Sequence, residues 1–402
     1  MTDAILTLNA GSSSIKFCLF EDVRPDLARL ADGEIEGIGT APQFVARTGG
    51  SVAAERRWPD GAGLPHEVFF EELLVWAEAH LGDDELVAVG HRIVHGGAEF
   101  AAPVLLDPDV IAKLEALSPL APLHQPHNLA AVHAVAKVRP ALPQVACFDT
   151  AFHRGHAPEV DRFGLPRVWE EAGVRRYGFH GLSYEFIAGR MRTLDPALAA
   201  GRMIVAHLGA GASLCAIDHG RSVDTTMGFT ALDGLVMGTR CGALDPGVIL
   251  YLEQAHGLTA AAVEDLLYRQ SGLLGVSGIS SDMRELLASA DPRAAEAIDL
   301  FVFRVVREIG ALAATMGGVD GLVFTAGIGE RSAEIRRRVC ARLGWLGASL
   351  DPAANEIGGK VSRAESRLTI WAIPTDEELV IARHALALIA EAPSDRAPDA
   401  IA

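Results

Sequence analysis

Two short segments of the chain combine small residues with flanking apolar runs in a pattern suited to gripping phosphate. The first is Leu8-Asn9-Ala10-Gly11-Ser12-Ser13-Ser14-Ile15-Lys16, and the second is Leu208-Gly209-Ala210-Gly211-Ala212-Ser213-Leu214. Each joins one apolar run (Ile5 to Leu8; Ile204 to Ala206) to another (Phe17 to Phe20; Leu214 to Ile217), which reads as strand, tight turn, strand. Glycine lets a turn bring backbone N–H groups close to an anion, and serine hydroxyls add further donors. Ordinary hairpins share this pattern. The duplication, and the basic Lys16 just past the first turn, favour phosphate and predict two similar domains.

Other segments add charge at strand ends. In Gly90-His91-Arg92-Ile93-Val94-His95-Gly96-Gly97, Arg92 follows a strand and is placed to bind an anion such as a carboxylate; a structural ion pair is the alternative. His91 and His95 stand four apart, but on a strand and glycine segment rather than a helix, and neither they nor His153 and His156 are read as a zinc site. His124 lies in the proline-punctuated Pro119–Pro126, which predicts a fixed pose or simple helix-end packing. Asp149 sits just past the apolar run ending at Phe148, where open α/β sheets meet their ligands, although a helix N-cap would look the same. His180 is enclosed by Gly178 and Gly181, and Arg240 lies in the glycine-rich Met237–Gly247. Asp282-Met283-Arg284-Glu285 reads as a helix start with Asp282 as N-cap. Gly327-Ile328-Gly329-Glu330-Arg331 follows a strand and precedes a helix, a place where phosphate or nucleoside can rest. Asp376, Glu377 and Glu378 open the last helix, where acids favour the helix dipole and could also serve Mg²⁺ or a nucleotide.

The elements that must position these groups alternate along the chain. Strand-like runs at 86–89, 144–148, 203–206, 321–325 and 368–373 are interleaved with helical periodicity at 66–81, 110–117, 129–138, 184–192, 260–268, 282–287, 293–316, 333–343 and 377–390. That alternation places the chain in the α/β class. Residues 47–64 read as a loop or hairpin insertion, and the tail beyond Glu391 as polar and disordered. The 402 residues are half hydrophobic and include 41 glycines, enough for two domains rich in tight turns. A formal charge of −17 argues against nucleic-acid or anionic-membrane partners. The five dispersed cysteines read as buried thiols of a reducing, cytoplasmic compartment, and neither a signal peptide nor a membrane-length apolar run is evident. There is no GxxxxGK[ST] pattern and no protein-kinase signature set.

Taken together, these segments resemble acetate kinase, in the family's order and across nearly the whole chain. The resemblance implies the actin-like (ribonuclease H-like) duplicated α/β fold with an inter-domain cleft. It implies an N-terminal domain of residues 1–148 plus 377–402, to which the last helix returns, and a C-terminal domain of residues 149–376. It also implies a homodimer that performs reversible, Mg²⁺- (or Mn²⁺-) dependent phosphoryl transfer between ATP and acetate, giving ADP and acetyl phosphate. By position, Asn9 and Glu377 would serve the metal, and Arg92 with His124 the carboxylate substrate. Asp149 holds the place of the family's acid/base residue, and His180 and Arg240 would stabilise the transition state. Lys16, Ser12 and Ser14, together with His207, Leu208, Gly209, Ala210, Gly211, Asp282, Met283, Arg284, Gly327, Ile328, Gly329, Glu330 and Arg331, would line the ATP site.

The chain departs from the family at several positions. Ala210, Arg331, Gln125 and Asp376 stand where asparagine is usual, and Ala243 where aspartate is. Ala210 and Arg331 face the nucleotide by position, which predicts weakened rather than lost binding. A propionate kinase and a non-catalytic nucleotide-binding protein on the same fold are the competing readings. Acetate is already ionised at neutral pH, since carboxyl pKa values lie near about 4, so a general base has no proton to remove. Asp149 is therefore expected to position Mg²⁺ or Arg92.

Overall fold

The computed structural model describes residues 2–11, 13–23, 26–59 and 61–391, with only the backbone at residue 62. Ser12 and the tail beyond Glu391, both read from the sequence, lie outside the described residues. The chain divides into two compact units, residues 1–152 with 376–402, and residues 153–375.

Unit one is built on an eight-stranded sheet. Its strands are β1 (Asp3–Ala10), β2 (Ser14–Val23), β3 (Asp26–Glu36), β4 (Gln43–Thr48), β5 (Ser51–Arg57), β6 (Glu85–Ile93), β7 (Val104–Leu105) and β8 (Gln144–Phe148), in the order β5-β4-β3-β2-β1-β6-β8-β7. From β1 the sheet runs antiparallel through β2 and β3, and parallel through β6 and β8. The insertion at 47–64 is the β4–β5 hairpin, which turns at Gly49 and Gly50, both with φ above +50°. The helices His66–Leu81 and Gln125–Val138 bury Phe69, Phe70, Leu73, Leu74, Ala131, Ala134 and Val135 against Leu6, Phe17, Leu19 and Phe44 of the sheet. The last helix, Glu377–Glu391, packs on β1, β6 and β8. There the backbone of Gly90 is so close that a β-carbon would lie 2.5 Å from Ile381 Cγ2.

Unit two carries a six-stranded sheet of β9 (Arg202–Leu208), β10 (Ala212–Asp218), β11 (Arg221–Thr225), β12 (Gly321–Thr325), β13 (Gly359–Lys360) and β14 (Thr369–Ala372), ordered β11-β10-β9-β12-β14-β13. The same rule recurs: β9 to β11 form an antiparallel meander, and β12 and β14 continue parallel to β9. The strand order β3-β2-β1-β6-β8 is thus matched by β11-β10-β9-β12-β14, so the repeated Gly turns belong to a repeated sheet. The helix Pro292–Thr315 covers this sheet with Phe301, Val302, Val305 and Ile309. Among the described residues, no helix is long and apolar enough to cross a membrane. Cys18, Cys147, Cys215 and Cys340 are buried, whereas Cys241, in a loop outside the sheet, is only partly covered.

Candidate active site

In unit one the parallel strands β1, β6 and β8 end on the same side, and their last residues bring together groups far apart in sequence. Arg92 is the penultimate residue of β6, and the strand runs on beyond the 86–89 core to Ile93. Its Nε donates to Asp149 Oδ1 at 2.8 Å and its Nη2 to Oδ2 at 2.5 Å, while Nη1 donates to Asn9 Oδ1 at 3.2 Å. Asp149 follows β8 directly, is 1% exposed, and donates its own N–H to the Ile93 carbonyl at 3.1 Å. It forms no N-cap; the Arg92 fork takes both carboxylate oxygens. Glu377 Oε2, at the start of the last helix, lies 3.7 Å from Arg92 Nε. Lys16 faces Asn9 across the β1–β2 pair and is exposed.

These charges shift one another. Burial pushes the Glu377 carboxyl up to about 7; Arg92 opposes this, Asp149 and Glu378 reinforce it, and Lys16 opposes it. Burial alone would weaken the hold of Arg92 on its proton, but Asp149 and then Glu377 outweigh it and keep the guanidinium above its ordinary range. An anion could thus meet a fixed cation here, with two carboxylates close behind it.

The first turn closes through Gly11 N–H donating to the Ser14 carbonyl at 2.8 Å. It is tied to the Arg92 strand by Asn128, a residue the sequence reading did not single out. Asn128 Nδ2 donates to the Ala10 carbonyl at 2.7 Å, and Oδ1 accepts from Val94 N–H at 3.0 Å. Its only sequence signal is a polar residue on the buried face of an apolar helix. Gln125 is fully buried and bonds both the N–H and the carbonyl of His95. His124 is half-buried at the N-terminus of that helix, where its carbonyl accepts from His127 and Asn128 N–H. His91 is buried and its Nε2 pairs with Gln144 Oε1 at 2.7 Å. His95 Nδ1 accepts from Gly97 N–H.

In unit two the second turn joins β9 to β10, with Gly209 N–H donating to the Gly211 carbonyl at 3.0 Å. His207 precedes the turn and Ser213 follows it, paired across the strands. His180 stands at the head of the helix Gly181–Leu194 in the left-handed conformation, φ +58°. Its Nδ1 lies 2.8 Å from Ser213 Oγ, and its ring stacks on His207 with centroids 4.1 Å apart. Ser183 is inside the helix rather than capping it, and its hydroxyl bonds His207 Nδ1 and Thr375 Oγ1. Tyr184 shares Ser213 Oγ with His180. A β-carbon at Gly211 would lie 3.3 Å from His180 Nε2 and 3.8 Å from Arg240 Nη1, so the turn, the imidazole and the guanidinium come together. Arg240 is steered by the Ala231 carbonyl at 3.0 Å and by Met237 Sδ at 3.6 Å.

The remaining residues of this unit lie on several elements. Ala210 is exposed, and its carbonyl accepts from Gly238 N–H. Leu208 is buried as the last residue of β9. Asp282 caps the helix Met283–Ala288, as expected, and the exposed Arg284 folds back on it, which holds the Asp282 carboxyl down at about 2. β12 runs straight into the helix Ala326–Arg331, so Gly327 and Gly329 are helical rather than a free loop. Ala326 takes a positive φ of +62° to make that junction. Arg331 is exposed and paired to Glu330. A buried arginine the sequence reading missed, Arg336, donates to the carbonyls of Gly329 and Glu330 and to Asn355, fixing the end of this helix.

Asn9, Asp149 and Glu377 offer oxygen donors only, the type that suits Mg²⁺ or Mn²⁺. No cluster of three or more His, Cys, Asp or Glu disposed to hold a metal occurs among the described residues.

Comparison with known proteins agrees over the full span. Acetate kinase of Rhodopseudomonas palustris is 57% identical over 392 residues, covering 96% of this chain and 98% of the relative. The crystal structure of Porphyromonas gingivalis acetate kinase superposes with a TM-score of 0.86 at 39% identity, covering 96% of this chain and 100% of that one. A propionate kinase from Francisella tularensis gives a TM-score of 0.89 at 35% identity, covering 96% and 99%. Residues 4–383 match the acetokinase family, and the chain belongs to it.

Proposed function

We propose that the chain transfers the γ-phosphoryl group of ATP to acetate, reversibly, giving acetyl phosphate and ADP. The observation that carries this reading is the fork between Arg92 and Asp149 at the strand ends of a chain whose relatives are acetate kinases. Phosphoryl transfer asks the protein for positioning and charge neutralisation rather than covalent chemistry. Arg92 and His124 receive the acetate carboxylate. Asp149 holds the guanidinium in place and accepts no proton from acetate, which arrives ionised. His180 and Arg240 neutralise the equatorial oxygens of the phosphoryl group in flight.

By position, Lys16, Ser12 and Ser14, and likewise His207, Leu208, Gly209, Ala210 and Gly211, attend the nucleotide phosphates, and Asp282, Met283, Arg284 and the segment Gly327, Ile328, Gly329, Glu330 and Arg331 the nucleoside. At Ala210 a backbone carbonyl is engaged and no side-chain donor is present, so nucleotide affinity is lowered and reaction type kept. Asn9 and Glu377 hold Mg²⁺, which when bound neutralises phosphate charge.

The same reading includes a homodimer in the cytoplasm. The helix Pro246–His256 keeps every side chain at least partly exposed, with Leu250 and Tyr251 more than half so, which supports an association surface. Four of the five thiols are buried, as suits a reducing compartment.

The choice between acetate and propionate is tested by kcat/KM for each acid with ATP. One methylene is worth about 1–3 kcal/mol in an apolar pocket. A ratio of about 10 or more in favour of acetate is expected on that scale. A ratio favouring propionate overturns the acetate assignment and keeps the reaction type.

A further inference from the structure

Beneath His180 in unit two runs a chain of buried polar groups to which the transfer reaction gives no role. Asp161 Oδ1 lies 3.0 Å from His156 Nδ1, His156 Nε2 lies 2.8 Å from Ser222 Oγ, and Ser222 Oγ lies 2.8 Å from His153 Nδ1. His153 Nε2 completes the chain at the Phe179 carbonyl, 2.9 Å away. The His156 side chain is 0% exposed, His153 2%, and Asp161 and Ser222 6% each, so the four form an interior feature. Arg175 takes the second oxygen of Asp161, and Cys215 Sγ lies 3.2 Å from Ser222 Oγ.

The partners restrict where the protons of this chain can sit. A carbonyl only accepts, so His153 Nε2 carries a hydrogen. Burial and the neighbouring His156 push His153 down to about 3, so its Nδ1 is bare and must accept from the Ser222 hydroxyl. Ser222 Oγ also meets His156 Nε2. His156 Nδ1 must donate, because the Asp161 carboxylate has no hydrogen to give. Burial works against the Asp161 charge, but hydrogen bonds from His156 and Arg175 outweigh it and hold this carboxyl below its ordinary range. Asp161, His156, Ser222 and His153 thus form one continuous hydrogen-bonded chain that ends on the Phe179 carbonyl.

The far end of this chain grips the peptide that leads into His180. The carbonyl of Phe179 and the N–H of His180 share one peptide plane, and the plane's orientation sets the φ of His180, +58°. A non-glycine residue in that region is held there by its surroundings. Gly178 has φ +74°, and a β-carbon on it would lie 2.5 Å from His153 Cδ2. The His153 ring thus lies flush on the backbone before His180 while its N–H fixes the next carbonyl. On the other side, Ser213 Oγ fixes the His180 ring itself.

We propose that Asp161, His156, Ser222 and His153 are positioning residues that lock the Phe179–His180 peptide and so aim His180. The proposal deepens the reading of His180 as a transition-state ligand and rests on it. The test pairs His153→Leu, which cannot donate to the carbonyl, with His153→Gln, whose amide can. His153→Leu should lower kcat by about 10–100-fold, the scale of a group displaced by about 1 Å, with KM for ATP and acetate within about 3-fold. His153→Gln should recover most of the loss. Wild-type kcat in the Leu variant, or equal losses in both, overturns the proposal. Should His153→Leu fail to fold, Ser222→Ala, which removes the relay hydroxyl, is held to the same kcat and KM criteria. Histidine-selective ¹⁵N NMR of the unaltered protein reads the network without reference to catalysis. A proton on Nε2 alone of His153 is expected, and a His153 protonated at Nδ1 contradicts the relay. If the protein made no acyl phosphate, the reaction reading would fail while this spectrum still judged the network.

Discussion

Arg92 and Asp149 hold each other through two parallel hydrogen bonds of 2.8 and 2.5 Å, at the ends of adjacent parallel strands. The carboxylate uses both oxygens on one guanidinium, and its side chain is 2% exposed. Removing one partner of such a buried, hydrogen-bonded pair costs about 2–5 kcal/mol, largely because the other charge is left uncompensated. Asp149→Asn keeps the shape and removes the charge. Turnover should fall by about 10²–10³-fold on that scale, with the KM for acetate rising more than that for ATP. The pH–rate profile should keep its wild-type form. A variant that binds Mg²⁺ normally but loses a single ionisation controlling turnover would make Asp149 a proton carrier instead.

Arg240 reaches the second turn beside His180, steered by a backbone carbonyl and a thioether. An arginine at transition-state charge is worth about 10³–10⁵ in rate in related transfers. Arg240→Ala should thus reduce kcat by at least about 10³-fold and leave the KM for ATP within a few fold. Steady-state kinetics in both substrates checks this, and equal losses in kcat and ATP affinity count against the role.

Glu377 supplies a pH dependence with a defined sign. Its folded-state carboxyl is raised from 4.5 to about 7, first by burial, so the native protein without metal holds this proton more tightly than the unfolded chain. The contribution to stability is full below the ordinary carboxyl range and is lost as pH rises towards 7. Denaturant titrations between these limits should show a falling difference between the protein and Glu377→Gln. Mg²⁺ held by Glu377, as proposed, would compete with that proton, so it should raise Tm more at pH 8 than at pH 6, and Glu377→Gln should lose most of the effect. A flat difference would remove the link between this carboxyl and the metal.

Gly90 is where β6, which carries Arg92, meets the helix that carries Glu377. Its β-carbon would lie 2.5 Å from Ile381 Cγ2. Gly90→Ala should destabilise the fold by about 1–3 kcal/mol through overpacking. Ile381→Ala in the same chain should restore part of the loss. Denaturation midpoints for the single and double variants decide the matter.

Much of this was legible in the sequence, because glycine turns and apolar runs mark strands locally. Both glycine turns, the helix His66–Leu81 and the N-cap at Asp282 lie where spacing places them. β3 was missed because DLARLADGEIE alternates charged and small residues and is half-exposed, so its strand character comes from pairing with β2 and β4. The helix Pro246–His256 escaped because its apolar residues serve no core of its own chain. Asn128, Arg336 and the His153–Asp161 relay bind backbone and side chains distant in sequence, and a pattern read along one segment carries no trace of such partners.

The central claim is that the two charged reactants meet directly, and a stoichiometric trap tests it. ATP, excess Mg²⁺ and acetate are mixed with the protein, hydroxylamine captures any acyl phosphate, and ADP and inorganic phosphate are counted in the same sample. One acetohydroxamate per ADP, with no acetate-independent phosphate, is the predicted result. Phosphate released without hydroxamate, or no turnover at all, would contradict the account.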